Sequence, residues 1–245
     1  PRRRLRDDGC MSTPPTVHDE VVTFCRDLIR FDTSNFGPDG AAGEREATEY
    51  VAAQLDEVGI SSTILESAPR RANLVAHWEP EGCDRSLPPL LIHGHTDVVP
   101  AVAADWQVDP FAGEIRDGYL WGRGAVDMKD FDAIILATIR ERVRSGRATR
   151  RPIRLVFTAD EEAGGRKGSH FLVEQHPEVF DGVTEAISEV GGYSVTVTDR
   201  DGSQRRTYLL QTAEKGISWL RLTAVSYTHL RAHETLEPLV CRLLP

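Results

Sequence analysis

Short apolar segments alternate with stretches of helical periodicity over most of this chain, and that alternation restricts the folds open to it. The apolar segments are predicted to be strands and lie at 62–65, 73–78, 90–93, 153–158 and 185–190. Amphipathic helices are predicted over 17–29, 47–58 and 130–143. Strands that alternate with helices predict an α/β fold, here a mixed sheet covered by helices on both faces.

Size and charge limit the classes of function. The chain has 245 residues, enough for one large domain or one and a half. Its net charge of −9 argues against nucleic acid as the main partner, because phosphate binding needs a surplus of Lys and Arg on one face. We therefore expect a small-molecule or short-peptide partner.

Neither a membrane segment nor a secretion signal is found in the sequence. No stretch approaches the ~20 consecutive apolar residues that a membrane helix needs. The four cysteines include no CxxC pair and are too few for a disulfide scaffold. The expected location is the cytoplasm, with no membrane partner.

The two ends of the chain differ from the part between them. Residues 1–10 precede the first methionine, Met11, and are rich in arginine and poor in apolar residues, so they are predicted to be a non-native leader. Residues 215–224 have the alternation of a strand. From 225 to 245 neither a period of 2 nor one of 3.6 holds for long, and this tail is predicted to be foreign to what precedes it.

A histidine and an aspartate follow the third apolar segment, in the sequence GHTDVVP. In an extended chain residues i and i+2 point the same way, so His95 could bind a metal ion while Asp97 orients its ring. A hydrogen-bonded histidine at a strand end is the alternative. His93 has the same parity as His95, so the spacing alone does not choose between them.

Acidic residues stand at three further places where the chain turns. Asp127 lies in GRGAVDMKD ahead of a helix, where it could be an N-cap or a ligand. Glu161 and Glu162 lie in TADEEAGG after a strand; three consecutive carboxylates repel one another, and a metal ion offsets that repulsion better than a surface position does. Glu189, in ISEVGG, is either a ligand or a solvated strand-end acid. Ligands bind at such a strand-end edge in open α/β sheets.

Together these motifs resemble the zinc-dependent family of aminoacylases, carboxypeptidases and succinyl-diaminopimelate desuccinylases, from about Val17 to Ala224. The resemblance implies a catalytic domain over 11–212, interrupted by a smaller α+β lid domain of which 213–224 is the start. It also implies two zinc ions, with cobalt or manganese as substitutes, and a cis peptide after Asp127. Intact members are expected to dimerise through the lid.

The resemblance further implies a role for each acidic residue and for His95. His95 and Glu189 would bind one ion, Asp127 would bridge the two ions, and Glu162 would bind the second. The catalytic residues would be Asp97, which orients His95, and Glu161, the general base that takes a proton from water and passes it to the leaving amine. The extended chain assumed around residues 161 and 162 would point these two side chains apart.

The expected function is hydrolysis of an amide bond in an N-acyl amino acid or a short peptide by water held at two zinc ions. A catalytically silent metal-binding or interaction fragment is the alternative. A metal-free hydrolase with a Ser or Cys nucleophile is less favoured, because no GxSxG occurs. We also expect this chain to hydrolyse little, since the resemblance places a further metal-binding histidine and a lid histidine beyond Ala224.

Overall fold

The computed structural model describes residues 15–37, 40–189 and 194–208. The predicted leader, the start of the predicted lid and the predicted foreign tail lie outside these ranges. Four helices are described: α1 (Val17–Ile29), α2 (Arg45–Asp56), α3 (Lys129–Arg144) and α4 (Ser169–Gln175). The strands of the main sheet are β1 (Ser62–Ala68), β2 (Arg71–Trp78), β3 (Leu90–His95), β6 (Ile153–Thr158) and β7 (Glu185–Ile187). A separate two-stranded sheet is formed by β4 (Glu114–Arg116) and β5 (Tyr119–Trp121).

The first helix begins where its side chains can satisfy the free backbone N–H groups. The Thr16 hydroxyl accepts a hydrogen bond from the backbone N–H of Asp19, and the Asp19 carboxylate accepts one from the backbone N–H of Thr16. This reciprocal pair is a capping box, with Asp in place of the more common Glu. It fixes the start of α1 at the residue that the hydrophobic periodicity predicts.

The main sheet has the order β1-β2-β6-β3-β7. β2 runs antiparallel to both of its neighbours, β1 and β6. β3 runs parallel to both of its own neighbours, β6 and β7. The predicted mixed sheet is therefore confirmed. Its three parallel strands end at the same edge, which places the segments that follow them side by side.

Helices cover both faces of this sheet, as predicted. Leu74, Leu155 and Phe157 belong to the larger core, which α1, α2 and α3 complete. Val75 and Val156, the neighbours of opposite parity, belong to a smaller core with residues of α4 and the turn after it. Because successive strand residues point to opposite faces, this division shows one helical layer on each side.

Some elements differ from the sequence expectations. β7 ends at Ile187, earlier than the segment 185–190: the next residue, Ser188, lies within hydrogen-bond distance of His93, and the chain bends at Glu189. The β4–β5 hairpin and α4 were not predicted; strands of 3 residues and a helix of 7 are too short to show a period.

The described chain divides into two compact units between Gly191 and Gly192. In the second unit the described residues form one antiparallel hairpin, β8 (Ser194–Thr198) and β9 (Gln204–Tyr208). None of the helices in the described ranges is long and apolar enough to span a membrane.

The packing of α3 in the larger core can be tested by substitution. Leu136 is 0% exposed and Ile134, on the same helix, is 43% exposed. Leu136→Ala leaves a cavity between α3 and the sheet, so it should lower the free energy of unfolding by about 2–5 kcal/mol. Ile134→Ala, the matched control, should change it by less than about 1 kcal/mol. Urea titration of both variants measures the difference, and equal losses would contradict this packing.

Candidate metal centre

The sequence-predicted site residues come together at the edge where the parallel strands end. His95 is the last residue of β3, the turn with Glu161 and Glu162 follows β6, and Glu189 follows β7. β3 pairs in parallel with both β6 and β7. The sheet topology thus brings segments that are far apart in the sequence to one place.

His95, Asp127 and Glu189 form a cluster in which one ligand atom of each lies within 4.8 Å of the other two. Nε2 of His95 is 3.2 Å from Oδ1 of Asp127 and 3.7 Å from Oε2 of Glu189. The His95 side chain is 1% exposed, and its Nε2 has no hydrogen-bond partner among the described residues. A buried nitrogen without a partner is costly unless something outside the chain contacts it.

The other ring nitrogen of His95, Nδ1, determines which tautomer the neutral ring adopts. Nδ1 lies 3.0 Å from the backbone oxygen of Asp97, which can only accept, so Nδ1 carries the proton and donates it. In the neutral ring Nε2 then has a free lone pair that faces the carboxylates. The Asp97 carboxylate is farther away, with Oδ1 at 3.5 Å from Nδ1. Nδ1 therefore faces both the backbone oxygen and the carboxylate of Asp97, with the shorter distance to the backbone oxygen.

His93 differs from His95 in having partners for both nitrogens. Nδ1 is 2.8 Å from the Ser188 hydroxyl and Nε2 is 3.1 Å from the Thr158 hydroxyl. Burial, with a smaller effect from the charge of His95, lowers the pKa of His93 to about 4. The parity that leaves the two histidines equivalent in the sequence is thus broken by their surroundings.

Gly94 separates the two histidines because a side chain does not fit there. A Cβ at this position would come within 2.1 Å of Oδ1 of Asp132, a fully buried residue of α3. The buried carboxylate of Asp132 therefore lies against the backbone of Gly94, a contact that a side chain at position 94 would disturb.

Asp127 reaches the cluster from the turn before α3. The peptide between Asp127 and Met128 is cis, as the family resemblance implies. Met128, not Asp127, is the N-cap residue of α3, so the alternative interpretation of Asp127 as an N-cap is wrong. The next residue, Lys129, is fully buried, and its Nζ donates to the backbone oxygens of Leu28 and Phe31 at 2.9 and 2.8 Å. These bonds join the start of α3 to the end of α1.

The turn after β6 is attached to Asp97. The backbone N–H of Glu161 donates to Oδ1 of Asp97 at 3.0 Å, and that of Glu162 donates to Oδ2 at 3.2 Å. Oε2 of Glu161 lies 3.7 Å from Nε2 of His95, whereas Oε1 of Glu162 accepts from the backbone N–H of Val99 at 3.2 Å. Glu161–Ala163 forms a 3₁₀ turn, so the extended chain assumed for residues 161 and 162 is wrong.

Asp160 also differs from the expectation for three consecutive carboxylates. Its oxygens accept from Nδ2 of Asn35, Nη2 of Arg71 and the backbone N–H of Lys167, at 3.0, 2.9 and 2.9 Å. An arginine inside the protein therefore offsets the charge of Asp160. The repulsion that remains is between Glu161, Glu162 and the carboxylates around His95.

The charges in the cluster shift several pKa values. Burial opposes a charge on His95, but the hydrogen bond and charge of Asp97, then the charges of Asp132 and Glu161, outweigh it and raise the pKa of His95 to about 10. Burial and the charge of Asp127 raise the pKa of Glu162 to about 7, and the same two causes raise the pKa of Glu189. Without a cation, the site holds protons at neutral pH.

The donor set fits a cation of the kind the sequence predicts. Nε2 of His95, which has a free lone pair once its proton leaves, faces carboxylate oxygens, a combination that suits zinc and also cobalt or manganese. The unpartnered Nε2 and the raised carboxylate pKa values are both relieved by a positive ion.

Several neighbours of the site were not found from the sequence. Asn35 donates to Asp97 and Asp160 across 62 and 125 residues, and Arg71 reaches Asp160 across 89. Sδ of Met128 accepts from the backbone N–H of His95 at 3.3 Å. A contact between residues far apart in the sequence leaves no periodic signal, so these contacts require the fold to be known.

Comparison with known proteins adds to this geometry. The family model described as "Peptidase family M20/M25/M40" matches residues 91–238. The N-fatty-acyl-amino acid synthase/hydrolase of Xenopus tropicalis is 31% identical over 221 residues, covering 89% of this chain and 42% of that protein. Aminoacylase-1 of Mus musculus is 32% identical over 163 residues, covering 66% of this chain and 38% of that protein.

Solved structures share the fold. Human carnosine dipeptidase 1 has a TM-score of 0.59 at 20% identity, covering 69% of this chain and 38% of its own. A metallo-carboxypeptidase of Sulfolobus solfataricus also has a TM-score of 0.59, at 19% identity, covering 75% of this chain and 39% of its own. The chain thus spans about two fifths of the length of the relatives it matches.

The raised pKa values predict how metal binding depends on pH. Near pH 7 the metal-free site holds a proton on His95 and part of one on Glu162, with pKa values of about 10 and 7, and a cation must displace them. Zinc binding at pH 7 should therefore release about one to two protons, and the affinity should fall as the pH falls from 8 to 6. Calorimetry in buffers of different ionisation enthalpy measures the release.

Two histidine variants control this measurement. His95→Ala should abolish tight binding, whereas His170→Ala, which changes a side chain 63% exposed on α4, should bind zinc and release protons as the unaltered chain does. Tight binding with no proton release would contradict the protonation described for this site.

Proposed function

Because the chain belongs to peptidase family M20/M25/M40, we propose that the protein is a metal-dependent hydrolase that cleaves the amide bond of an N-acyl amino acid or a short peptide. The observation that carries the proposal is the buried, unpartnered Nε2 of His95, surrounded by the carboxylates of Asp127, Glu161 and Glu189. This arrangement suits a cation with a carboxylate, that of Glu161, beside it for proton transfer.

Four side chains are proposed to hold two zinc ions. His95 and Glu189 would hold one ion, Glu162 would hold the second, and Asp127 would contribute to both. The cluster of His95, Asp127 and Glu189 supports the first site, and the effect of Asp127 on the pKa of Glu162 supports a place for Glu162 beside the bridging acid. When bound, such ions polarise an amide carbonyl and make water acidic enough to attack it near neutral pH.

The remaining roles belong to Asp97 and Glu161. The backbone oxygen of Asp97 keeps the proton of His95 on Nδ1, which leaves Nε2 free as a ligand. Glu161 takes the proton from the attacking water and passes it to the leaving amine. Its Oε2 lies 3.7 Å from Nε2 of His95, and its backbone N–H donates to Oδ1 of Asp97 at 3.0 Å.

The proposed substrates share one linkage, an amide bond to an amino acid. The names of the relatives specify a hydrolase of N-fatty-acyl amino acids, an aminoacylase and a carnosine dipeptidase. We extend only the common linkage to this protein. The division of the chain into a catalytic domain over 11–212 and the start of a lid at 213–224 belongs to the same proposal.

A cysteine nucleophile is disfavoured by the surroundings of the one buried thiol in the described part of the chain. Cys25 lies on α1, and burial, with the charges of Asp130 and Asp132, raises its pKa to about 12. The thiolate, which is the reactive form, is therefore scarce at neutral pH.

Replacing Glu161 tests the proposed division of labour. Glu161→Gln keeps the shape and removes the base, so in an intact enzyme that contains this catalytic domain the hydrolysis of N-acetyl amino acids should fall about 10²-fold or more while the zinc content stays the same. Glu174→Gln, at an α4 side chain 59% exposed, is the matched control and should alter neither quantity. Atomic absorption gives the zinc content and an amine-release assay gives the rate.

Two outcomes would contradict the proposal in different ways. If Glu161→Gln lost zinc and kept its rate per bound ion, the roles of Glu161 and Glu162 would have to be exchanged. If the unaltered chain bound no zinc, cobalt or manganese, the protein would not be a metal-dependent hydrolase of this kind.

A further inference from the structure

Asp160 stands next to the proposed base, yet its carboxylate takes no part in the cluster around His95. Asn35 Nδ2 and Arg71 Nη2 donate to its Oδ1, and the backbone N–H of Lys167 donates to its Oδ2. The residue is 6% exposed, so this charge is held inside the protein. A buried carboxylate with three donors has a fixed position.

The arginine that binds Asp160 is itself held by a second buried acid. Nε of Arg71 donates to Oε2 of Glu44 at 2.9 Å, and Nη2 lies 2.8 Å from Oε1 of Glu44. The Glu44 side chain is 0% exposed and that of Arg71 is 12% exposed. One guanidinium therefore bridges Glu44, at the start of α2, and Asp160, in the turn after β6.

The side-chain amide of Asn35 joins this ion pair to Asp97. Nδ2 of Asn35 donates to Oδ2 of Asp97 at 2.8 Å and to Oδ1 of Asp160 at 3.0 Å. Asp97 in turn accepts the backbone N–H groups of Glu161 and Glu162. The turn that carries these two acids is thus fixed on one side through Asp160 and on the other through Asp97.

The backbone of Asp160 gives a reason for this bracing. Its φ is 67°, in the left-handed region, which glycine adopts freely and Asp and Asn adopt more readily than other residues. This conformation turns the chain so that residues 161–163 form the 3₁₀ turn after β6. The hydrogen bonds to the Asp160 side chain hold the turn in that conformation.

We propose that Asp160, braced by Arg71 and Asn35, is a positioning residue that sets where Glu161 and Glu162 stand relative to His95. The inference rests on the proposed function, because it assigns Glu161 to proton transfer and Glu162 to an ion. Asp160 acts only through its neighbours and touches neither substrate nor metal. Partners of this kind around metal ligands alter metal affinity or activity by about 10- to 100-fold when they are removed.

Variants at Asp160 separate the side chain from the backbone conformation. Asp160→Gly accepts the same φ but loses all three side-chain contacts, whereas Asp160→Asn keeps an oxygen for Asn35 and Arg71. Asp117, with a φ of 56° in the exposed β4–β5 turn, offers Asp117→Gly as a matched control. Arg71→Lys keeps the positive charge but cannot bridge two acids as the guanidinium does.

Two measurements on the full chain report the position of the turn without relying on turnover. Hydrogen exchange measures the protection of the Glu161 and Glu162 amides, and titration with Co²⁺, followed by its visible absorption, measures affinity and ligand geometry. We expect Asp160→Gly to speed exchange of these amides at least 10-fold and to weaken Co²⁺ binding by about 10- to 100-fold. Asp160→Asn should keep most of the amide protection and most of the Co²⁺ affinity, and Asp117→Gly should change neither quantity.

The outcomes separate this inference from the proposed function. If the unaltered chain binds no Co²⁺, the proposed function fails, and exchange alone then decides whether Asp160 fixes the turn. If the unaltered chain binds Co²⁺ and Asp160→Gly matches it in affinity, spectrum and amide exchange, the positioning role is overturned. If Asp160→Gly does not fold, Arg71→Lys decides in its place: faster exchange confined to 160–163 with weaker Co²⁺ binding supports the role, and unchanged values overturn it.

Discussion

The buried carboxylate of Asp97 is the interaction on which the rest of the site depends. A carboxylate removed from water needs several donors, and Asp97 obtains them from Asn35 and from the backbone of Glu161 and Glu162. Burial would raise its pKa, but the hydrogen bond and charge of His95, then the donated hydrogen bonds, lower it instead. The hydrogen bonds to this one buried carboxylate therefore hold together the segments that contain Asn35, Asp97 and Glu161.

The order of strands makes that arrangement possible. β2 enters the sheet antiparallel to β6, and β6, β3 and β7 then run parallel, so that the site is built at one edge by segments that leave neighbouring strands. α3 is tied to both neighbours of the site, because its Asp132 carboxylate lies against Gly94 of β3 and its Lys129 binds the end of α1. The same contacts that fill the core thus also fix the acid that precedes the helix.

The sequence predicted the strands and acidic residues of this site better than the hydrogen bonds that hold those residues in place. Strand ends and acidic residues have local signals, and β3, β6 and α3 lie where those signals place them. Those hydrogen bonds depend on contacts across long separations, such as the 125 residues between Asn35 and Asp160, and nothing local in the sequence indicates such pairing. The 3₁₀ turn at Glu161 was missed for a related reason: it follows from the left-handed backbone of Asp160, which a period of 2 or 3.6 does not reveal.

The partners of His93 have a consequence for which histidine an incoming cation meets. Both of its nitrogens face hydroxyl groups, those of Ser188 and Thr158, and a hydroxyl can either donate or accept. The Thr158 hydroxyl also donates to the backbone oxygen of Gly94 at 3.3 Å, so the neutral tautomer with its proton on Nε2, where Thr158 accepts and Ser188 donates to Nδ1, satisfies all of these groups at once. A cation would have to break one of these hydrogen bonds to bind His93, whereas at Nε2 of His95, which makes no hydrogen bond with the described residues, it displaces a proton. Two imidazoles that share one face of a strand are thus made chemically unequal by two hydroxyl groups.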